Sequence, residues 1–255
     1  MVQISAVIIT LNEEANINRC IKSLEGIADE IVVLDSLSTD RTREICAGLN
    51  IKFIEQPFLG YVEQKNKALE YASYNHILSL DADEALSTEL RQSILKVKVN
   101  WNADGYVFNR LTNYCGKWIH HTDWYPDKKL RLFDKRKGLW TGNSIHEQYT
   151  LQQGYKKVFI KGDLLHYSFP SIDHHLDVLK KFTTMVADEN YQRGKKVNLF
   201  YILLKPIWKF IKSYIIRLGF LDGYYGYVIA RISAHATFIK YIKLRELYKY
   251  SSSVD

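Results

Sequence analysis

The sequence predicts an α/β fold, a mostly parallel central sheet covered by helices, followed by a basic, amphipathic helical appendage. Two observations carry this. Continuous apolar runs alternate with helical stripes through the first hundred residues, the pattern of strands buried on both faces. The charge is also unevenly placed. Against an overall +7, residues 195–249 hold eleven Lys/Arg facing only Asp222 and Glu246, a net +9, so the remainder is slightly acidic at −2.

Ser5-Ala6-Val7-Ile8-Ile9 reads as a buried strand that breaks into Thr10-Leu11-Asn12-Glu13-Glu14. Ile17, Cys20, Ile21 and Leu24 then recur at i, i+3, i+4 and i+7, the stripe of an amphipathic helix. A second strand, Glu30–Leu34, ends at Asp35-Ser36-Leu37-Ser38-Thr39-Asp40, where Asp40 is placed to cap a helix running toward Leu49. A third, from Ile51 to Glu55, leads through Pro57 and Gly60 to a helix with Val62, Ala68, Leu69 and Ala72 on one side. The fourth, Ile77-Leu78-Ser79-Leu80, delivers Asp81-Ala82-Asp83-Glu84. Sheets of this kind bind ligands outside the carboxyl ends of their strands. Thr10, Asn12, Asp35, Asp81 and Asp83 are therefore expected to gather at one edge.

Two carboxylates at i and i+2 beyond a buried strand are costly unless something cationic offsets them. A hard divalent cation bridging carboxylate and substrate phosphates supplies that charge. The tetrapeptide thus suggests a nucleoside-diphosphate site, although Asp-x-Asp also occurs in solvated turns and calcium loops.

Thr10-Leu11-Asn12-Glu13, the run Val33–Thr42, Gln64-Lys65-Asn66 and Leu80–Glu84 stand in the order and spacing of family 2 glycosyltransferases, which this chain resembles. Leu130-Arg131-Leu132-Phe133, Trp140–Glu147, His166-Tyr167-Ser168 and Gly219–Gly223 are similar to a subgroup that includes lipopolysaccharide core β-1,4-glucosyltransferases. The resemblance implies a GT-A nucleotide-binding domain. It implies inverting, non-processive, metal-dependent transfer of one sugar, glucose from a UDP-sugar, to lipopolysaccharide inner core or another lipid-linked glycan. Thr10, Asn12 and Glu13 would line the base and ribose pocket, and Asp35 would accept from uracil. Lys65 would sit near the phosphates or brace the pocket. Asp83, supported by Asp81, would hold Mg²⁺ or Mn²⁺, with Asp81 on the ribose or acting through water. Glu147 would be the base, oriented by His146. His166 is open between a third metal ligand, as in some enzymes of this fold, and a core histidine with its bonds satisfied. The chain departs from the family pattern at Ser36-Leu37, where many members have Asp-Gly, at Lys65, often Arg, and at His146-Glu147, often Glu-Asp. It also lacks the Gln-x-x-Arg-Trp motif of processive members.

A hydrophobic content of 47% excludes a disordered chain. No run approaches the roughly 18 apolar residues of a spanning helix, and nothing before Ile4 reads as a signal peptide. Cys20, Cys46 and Cys115 suggest neither a zinc cluster nor a disulfide framework. The expectation is a reducing cytoplasm, with the protein peripheral on the cytoplasmic face of a bacterial inner membrane. The domains are expected at 1–194, with a donor half to about 104 and an acceptor half at 105–170, and at 195–255 for the appendage. In that appendage Lys205, Lys209 and Lys212 share one helical face, opposite Leu203, Leu204, Ile207, Ile211, Tyr214, Ile215 and Leu218. That describes a helix in an anionic membrane interface, or one packed on the catalytic domain with its lysines solvated. Nucleic acid is disfavoured, since no recognisable module is present. The oligomeric state is not legible.

Between them, Gly105–Phe108, Leu130–Phe133 and Lys157–Ile160 look like strands. His120, His121, Asp123, Trp124 and Tyr125 either line an acceptor site or form an ordinary loop. Arg131 is open between a phosphate and Asp134. Two other functions fit much of the sequence. A non-catalytic membrane-surface protein that holds a nucleotide-sugar shares every feature except the need for Glu147. A nucleotidyltransferase would want a Gly-rich phosphate loop, where Thr10–Glu14 is acidic and glycine-free.

Overall fold

The computed structural model describes residues 1–142 and 147–251. The chain divides into two compact units, residues 1–111 with 127–167, and residues 112–126 with 168–255. This division differs from the expected boundary at 194, because the helix over 172–192 packs on the last helix of the chain and counts with it.

The first unit is built on strands β1 (Ile4–Thr10), β2 (Glu30–Asp35), β3 (Lys52–Glu55), β4 (His76–Asp81), β5 (Glu84–Leu86), β6 (Gly105–Tyr114), β8 (Asp127–Asp134) and β11 (Lys157–Phe169), in the order β3-β2-β1-β4-β8-β6-β11-β5. The strands β3, β2, β1 and β4 are mutually parallel, whereas β4–β8, β8–β6 and β11–β5 are antiparallel. The apolar stripe at Ile17, Cys20 and Ile21 forms α1 (Ile17–Ser23), and these side chains are buried together with Leu24. Helices α2 (Thr42–Ala47), α3 (Tyr61–Tyr71) and α4 (Thr88–Val99) follow. The N-cap of α2 is Arg41, one residue after the expected Asp40; Asp40 still accepts from the Thr42 amide at 3.0 Å.

Burying the apolar strands on both faces gives two core clusters. One holds Ile4, Ala6, Ile8, Leu78 and Leu80 against α1 and α4; the other holds Val7, Val32, Leu34 and Ile77 against α3, Phe133 and Trp140. The long strand β11 crosses the start of α4 at Gly162, whose φ is +98° and where a Cβ would strike the Leu90 backbone. Ser87 locks the crossing: its hydroxyl accepts from Leu90 N and Asp163 N, and its amide donates to the Asp163 carbonyl. A hairpin of β9 (Gly138–Thr141) and β10 (Gln148–Leu151) carries Glu147 immediately before β10. Tyr149 stacks on Phe133 and its hydroxyl donates to the Asp134 carbonyl, which seats this hairpin on β8.

The second unit contains the short strand β7 (Lys117–Trp118) and helices α5 (Ile172–Gln192), α6 (Leu199–Ile211) and α7 (Gly223–Ser251). Helices α5 and α6 both pack on α7. Tyr114, Ile119 and Ile229 form a small core with Trp124, Phe169 and Tyr225 around them. Asp222 is buried and accepts from the backbone amides of His120 (3.2 Å) and His121 (2.9 Å) and faces His121 Nδ1 at 3.1 Å. The aromatic-histidine cluster at 120–125 is therefore tied into this unit: Trp124 stacks on Phe169, and Asp123 meets Lys209 at 2.6 Å, with Lys212 and Arg217 at 3.8 and 3.9 Å.

Helix α6 presents its apolar side outward. Leu199, Phe200, Leu203, Leu204, Ile207 and Trp208 are all exposed, and so are Ile215, Ile216, Leu218, Phe220, Leu221 and Tyr224 in the segments that follow. Ile202 is the buried residue of the helix. The appendage thus differs from both sequence expectations in one respect. Its apolar face is open, yet Lys209 and Lys212 are drawn to Asp123 instead of standing free beside it. No helix among the described residues is long and apolar enough to cross a membrane.

Candidate active site

The parallel register sets the site. Thr10 at the end of β1 lies opposite Asp35 at the end of β2, and Ile9 lies opposite Asp81 at the end of β4. A cavity of about 430 Å³ opens over this edge, lined among others by Thr10, Glu13, Ser36, Lys65, Asp81, Asp83, Glu147 and His166, with Phe58 and Tyr61 on its wall. Seven of the ten predicted site residues meet here. Asn12 and Asp35 do not line it, and His146 lies outside the described residues.

Asp35 is buried, and its two oxygens accept from the amide and hydroxyl of Ser38 at 2.7 and 2.5 Å. Asn12, at φ +55°, donates its amide to Ser38 Oγ and accepts from the Thr39 amide, both at 2.8 Å. These two residues knit the loops after β1 and β2 together. An aspartate three residues before a serine bonds locally in this way, so a signal was present in Asp35-Ser36-Leu37-Ser38. Thr10 Oγ1, by contrast, is buried on the cavity and has no partner among the described residues.

Helix α3 uses three consecutive residues to hold three elements. Gln64 donates to Ser36 Oγ at 3.1 Å. Lys65, only 2% exposed, places its ammonium 2.9 Å from Asp81 Oδ1 and 3.3 Å from Glu147 Oε1, above the Trp140 ring. Asn66 exchanges a pair of 2.9 Å hydrogen bonds with the Trp140 backbone. Lys65 thus ties α3 to the end of β4 and to the residue before β10.

Asp81 takes its other cation from β8: Arg131 Nη2 lies 2.8 Å from Asp81 Oδ2 and 3.2 Å from Glu84 Oε1. Burial opposes ionisation of Asp81, but Arg131 and Lys65 overcome it and hold the carboxyl well below the usual carboxylate range. Arg131 therefore pairs with Asp81 and Glu84, while Asp134 is taken by Arg136. Glu84, fully buried, accepts from the Asp81 amide at 2.9 Å and fixes the turn that presents Asp83.

Asp83 Oδ2 stands 3.1 Å from His166 Nε2, brought there by the antiparallel pairing of β11 with β5, in which His166 is opposite Glu84. Glu13 adds more negative charge to the cavity. Burial pushes its carboxyl up, the Asn16 amide pulls it back in part, and Asp83 raises it further. A carboxylate and an imidazole side by side, in a cavity already crowded with carboxylates, are a donor pair that fits a divalent cation. Asp81 is paired with Lys65 and Arg131, whereas Asp83 and His166 face each other. No group of three His, Cys, Asp or Glu among the described residues is arranged to hold a metal unaided.

Beyond Glu147 lies a second cavity of about 630 Å³, lined by Arg110, Lys128, Lys129, Arg131, Trp140, Gln148 and Lys157 among others, and Glu147 borders both. Sequence reading did not single out this basic lining, because its residues come from β6, β8 and β11 and meet only after the antiparallel half of the sheet forms.

The family model described as Glycosyl transferase family 2 matches residues 5–162. An uncharacterized glycosyltransferase of Rickettsia typhi is 34% identical over 100% of this chain and 90% of its own length. The lipopolysaccharide core biosynthesis glycosyltransferase LpsC of Rhizobium meliloti is 30% identical over 99% of this chain and 96% of its own. Among solved structures, a mannosyltransferase of Pyrobaculum calidifontis in complex with GDP-Man and Mn²⁺ superposes with a TM-score of 0.56, at 13% identity, over 95% of this chain and 87% of that one, a likeness of fold.

Proposed function

The chain belongs to glycosyl transferase family 2, and from that premise we propose that it is an inverting, metal-dependent, non-processive enzyme that moves one hexose, glucose in the first instance, from a UDP-sugar to a lipid-linked saccharide. The observation that carries this reading is the position of Glu147 on the border of two cavities, one lined by Asp81, Asp83 and His166 and the other open beside it.

The donor occupies the first cavity. Thr10 Oγ1 and Glu13 face its ribose and base, with Asn12 supporting them from the loop. Asp35 keeps lone pairs beyond its two bonds from Ser38, since a carboxylate has about four acceptor sites, and one of them takes the imide N–H of uracil. Asp83 and His166 would hold Mn²⁺ or Mg²⁺, which when bound stabilises the nucleoside diphosphate as it leaves. Lys65 and Arg131 keep Asp81 ionised and fixed toward the ribose.

Glu147 takes the proton of the acceptor hydroxyl as that oxygen attacks the anomeric carbon from the face opposite the leaving group. Position is held by the β9–β10 hairpin, by Lys65 and by the Asn66 bonds to Trp140. His146 orients the base or the acceptor in this scheme.

A lipid-linked acceptor suits the second unit. The exposed aliphatic and aromatic side chains of α6 enter the interface of a bilayer, and the surplus of Lys and Arg in residues 195–249 favours an anionic leaflet, about 1 kcal/mol for each residue near it. The lipopolysaccharide role of the Rhizobium relative supports such an acceptor and a place on the cytoplasmic face of the inner membrane.

The test is a panel of nucleotide-sugars incubated with the protein alone, with and without Mn²⁺, following slow hydrolysis. Metal-dependent cleavage of UDP-glucose that is lost in Asp83→Asn is the expected result. Equal cleavage of GDP- or CDP-sugars refutes the role of Asp35, and full activity in chelator refutes the metal.

A further inference from the structure

The second cavity has an electrostatic character that sugar transfer alone does not require. Arg131 is 4% exposed, yet its Nε and Nη1 have no hydrogen-bond partner among the described residues; its Nη2 alone is spent on Asp81 and Glu84. Trp140 Nε1, in a ring 3% exposed, is likewise unpartnered, and the Arg131 guanidinium lies 5.4 Å from that ring. Three buried donor nitrogens, carrying four N–H groups without acceptors, on two residues that line one cavity, are an expensive arrangement unless something in the cavity accepts from them.

The rest of the lining agrees. Arg110, Lys128, Lys129 and Lys157 join Arg131 around the cavity, and Glu147 is its carboxylate. Arg110 and Lys129 are partly neutralised by Asp127, at 2.9 and 3.1 Å. Lys128 and Lys157 form no ion pair among the described residues. The crowding is felt by Lys129, whose ammonium is pushed down by burial and then by Arg110. An uncharged sugar would leave these cations unmatched.

We propose that this cavity is the acceptor subsite and that it takes a saccharide bearing an anionic group, a phosphate or a carboxylate, close to the hydroxyl that receives the new sugar. This rests on the donor and base assignments above. The planar guanidinium and the indole N–H supply oriented donors to the anion's oxygens. Lys128 and Lys157, at the exposed rim, add attraction without fixed geometry. Recognition of the charge would also draw the acceptor toward Glu147, since that residue lies on the same cavity wall.

The experiment is a titration of the full chain, first saturated with UDP and Mn²⁺, with glucose 6-phosphate, glucuronate and glucose, followed by protein-observed NMR. At least one charged sugar should bind at least tenfold tighter than glucose; which of the two does so identifies the anion as phosphate, carboxylate or either. The double variant Lys128→Glu/Lys157→Glu should lose that advantage to within threefold of glucose. Neither substitution touches the core, and a parallel UDP titration reports whether the fold and donor cavity are intact. Charged and neutral sugars binding alike, or a double variant that keeps the preference, overturns the anionic subsite. A protein that prefers the charged sugar by way of Lys128 and Lys157 but binds no nucleoside diphosphate keeps the subsite and sinks the donor reading instead.

Discussion

Replacing Lys65 by Met is the most direct probe of how the site is held. The ammonium is 2% exposed and serves two carboxylates, Asp81 at 2.9 Å and Glu147 at 3.3 Å. Removing one partner of a buried pair typically costs about 3–5 kcal/mol, because the other charge is left desolvated and unpaired. Asp81 keeps Arg131 at 2.8 Å and Glu147 remains partly exposed, which places the expected loss at the lower end, about 3 kcal/mol. Methionine fills nearly the same volume, so little of that loss comes from a cavity. For a domain of this size the melting temperature should fall by roughly 6–12 °C. Urea unfolding followed by circular dichroism, at neutral pH, measures it. A double-mutant cycle with Glu147→Gln should return a coupling of about 0.5–3 kcal/mol, since the two side chains share one contact. A loss below about 1 kcal/mol would mean that Lys65 behaves as a surface pair, and the bracing argument would fail.

Glu147→Gln should bind UDP as the parent does while turnover drops by about 10²–10⁴; single-turnover kinetics that stay near the parental rate would move the base elsewhere. His175 is buried, and burial followed by His174 pushes its imidazole down to about 4. It faces the Tyr114 hydroxyl at 3.0 Å. The unfolded chain therefore takes up this proton first, and stability that is complete above the ordinary histidine value is lost as pH falls from about 6.5 toward 4, by up to roughly 3 kcal/mol. His175→Phe should flatten that part of the stability profile, and an unchanged slope would remove His175 as its cause. Substituting Leu203, Ile207 and Trp208 by Ser should release the protein from anionic vesicles in a flotation assay and leave donor hydrolysis alone. This set is more informative than reversing the lysines, since Lys209 and Lys212 are tied to Asp123.

The parallel half of the fold was legible because it is locally encoded. Ile17, Cys20, Ile21 and Leu24 announce their helix by spacing, and the runs at 4–10, 30–35 and 76–81 end where polar residues begin. The same polarity change predicted the edge at which Thr10, Asp81 and Asp83 meet. Partnerships made by the antiparallel half were not legible. Arg131 reaches Asp81 across 50 residues of sequence, and His166 reaches Asp83 only because β11 pairs with β5. Strand length also escaped notice. Gly105–Phe108 and Lys157–Ile160 marked only the apolar beginnings of β6 and β11, which run on for 10 and 13 residues through mixed sequence. The bonds from Ser38 to Asp35 are local, and Asp35-Ser36-Leu37-Ser38 carries their signal in the sequence itself, three residues apart.

The run Gln64-Lys65-Asn66 has a bearing on how this sequence can vary. Successive helical side chains point about 100° apart, so three neighbours in sequence face three different directions, and here each direction is occupied: the loop after β2, the Asp81–Glu147 pair, and the backbone of β9. Inserting or deleting one residue at the start of α3 would rotate the helix by that angle and exchange all three contacts together, leaving none correct. The segment before it, from Gln56 to Gly60, carries no regular structure and can change length without this penalty. Among natural or engineered variants, length differences should therefore accumulate before Gly60 and be absent between Tyr61 and Asn66.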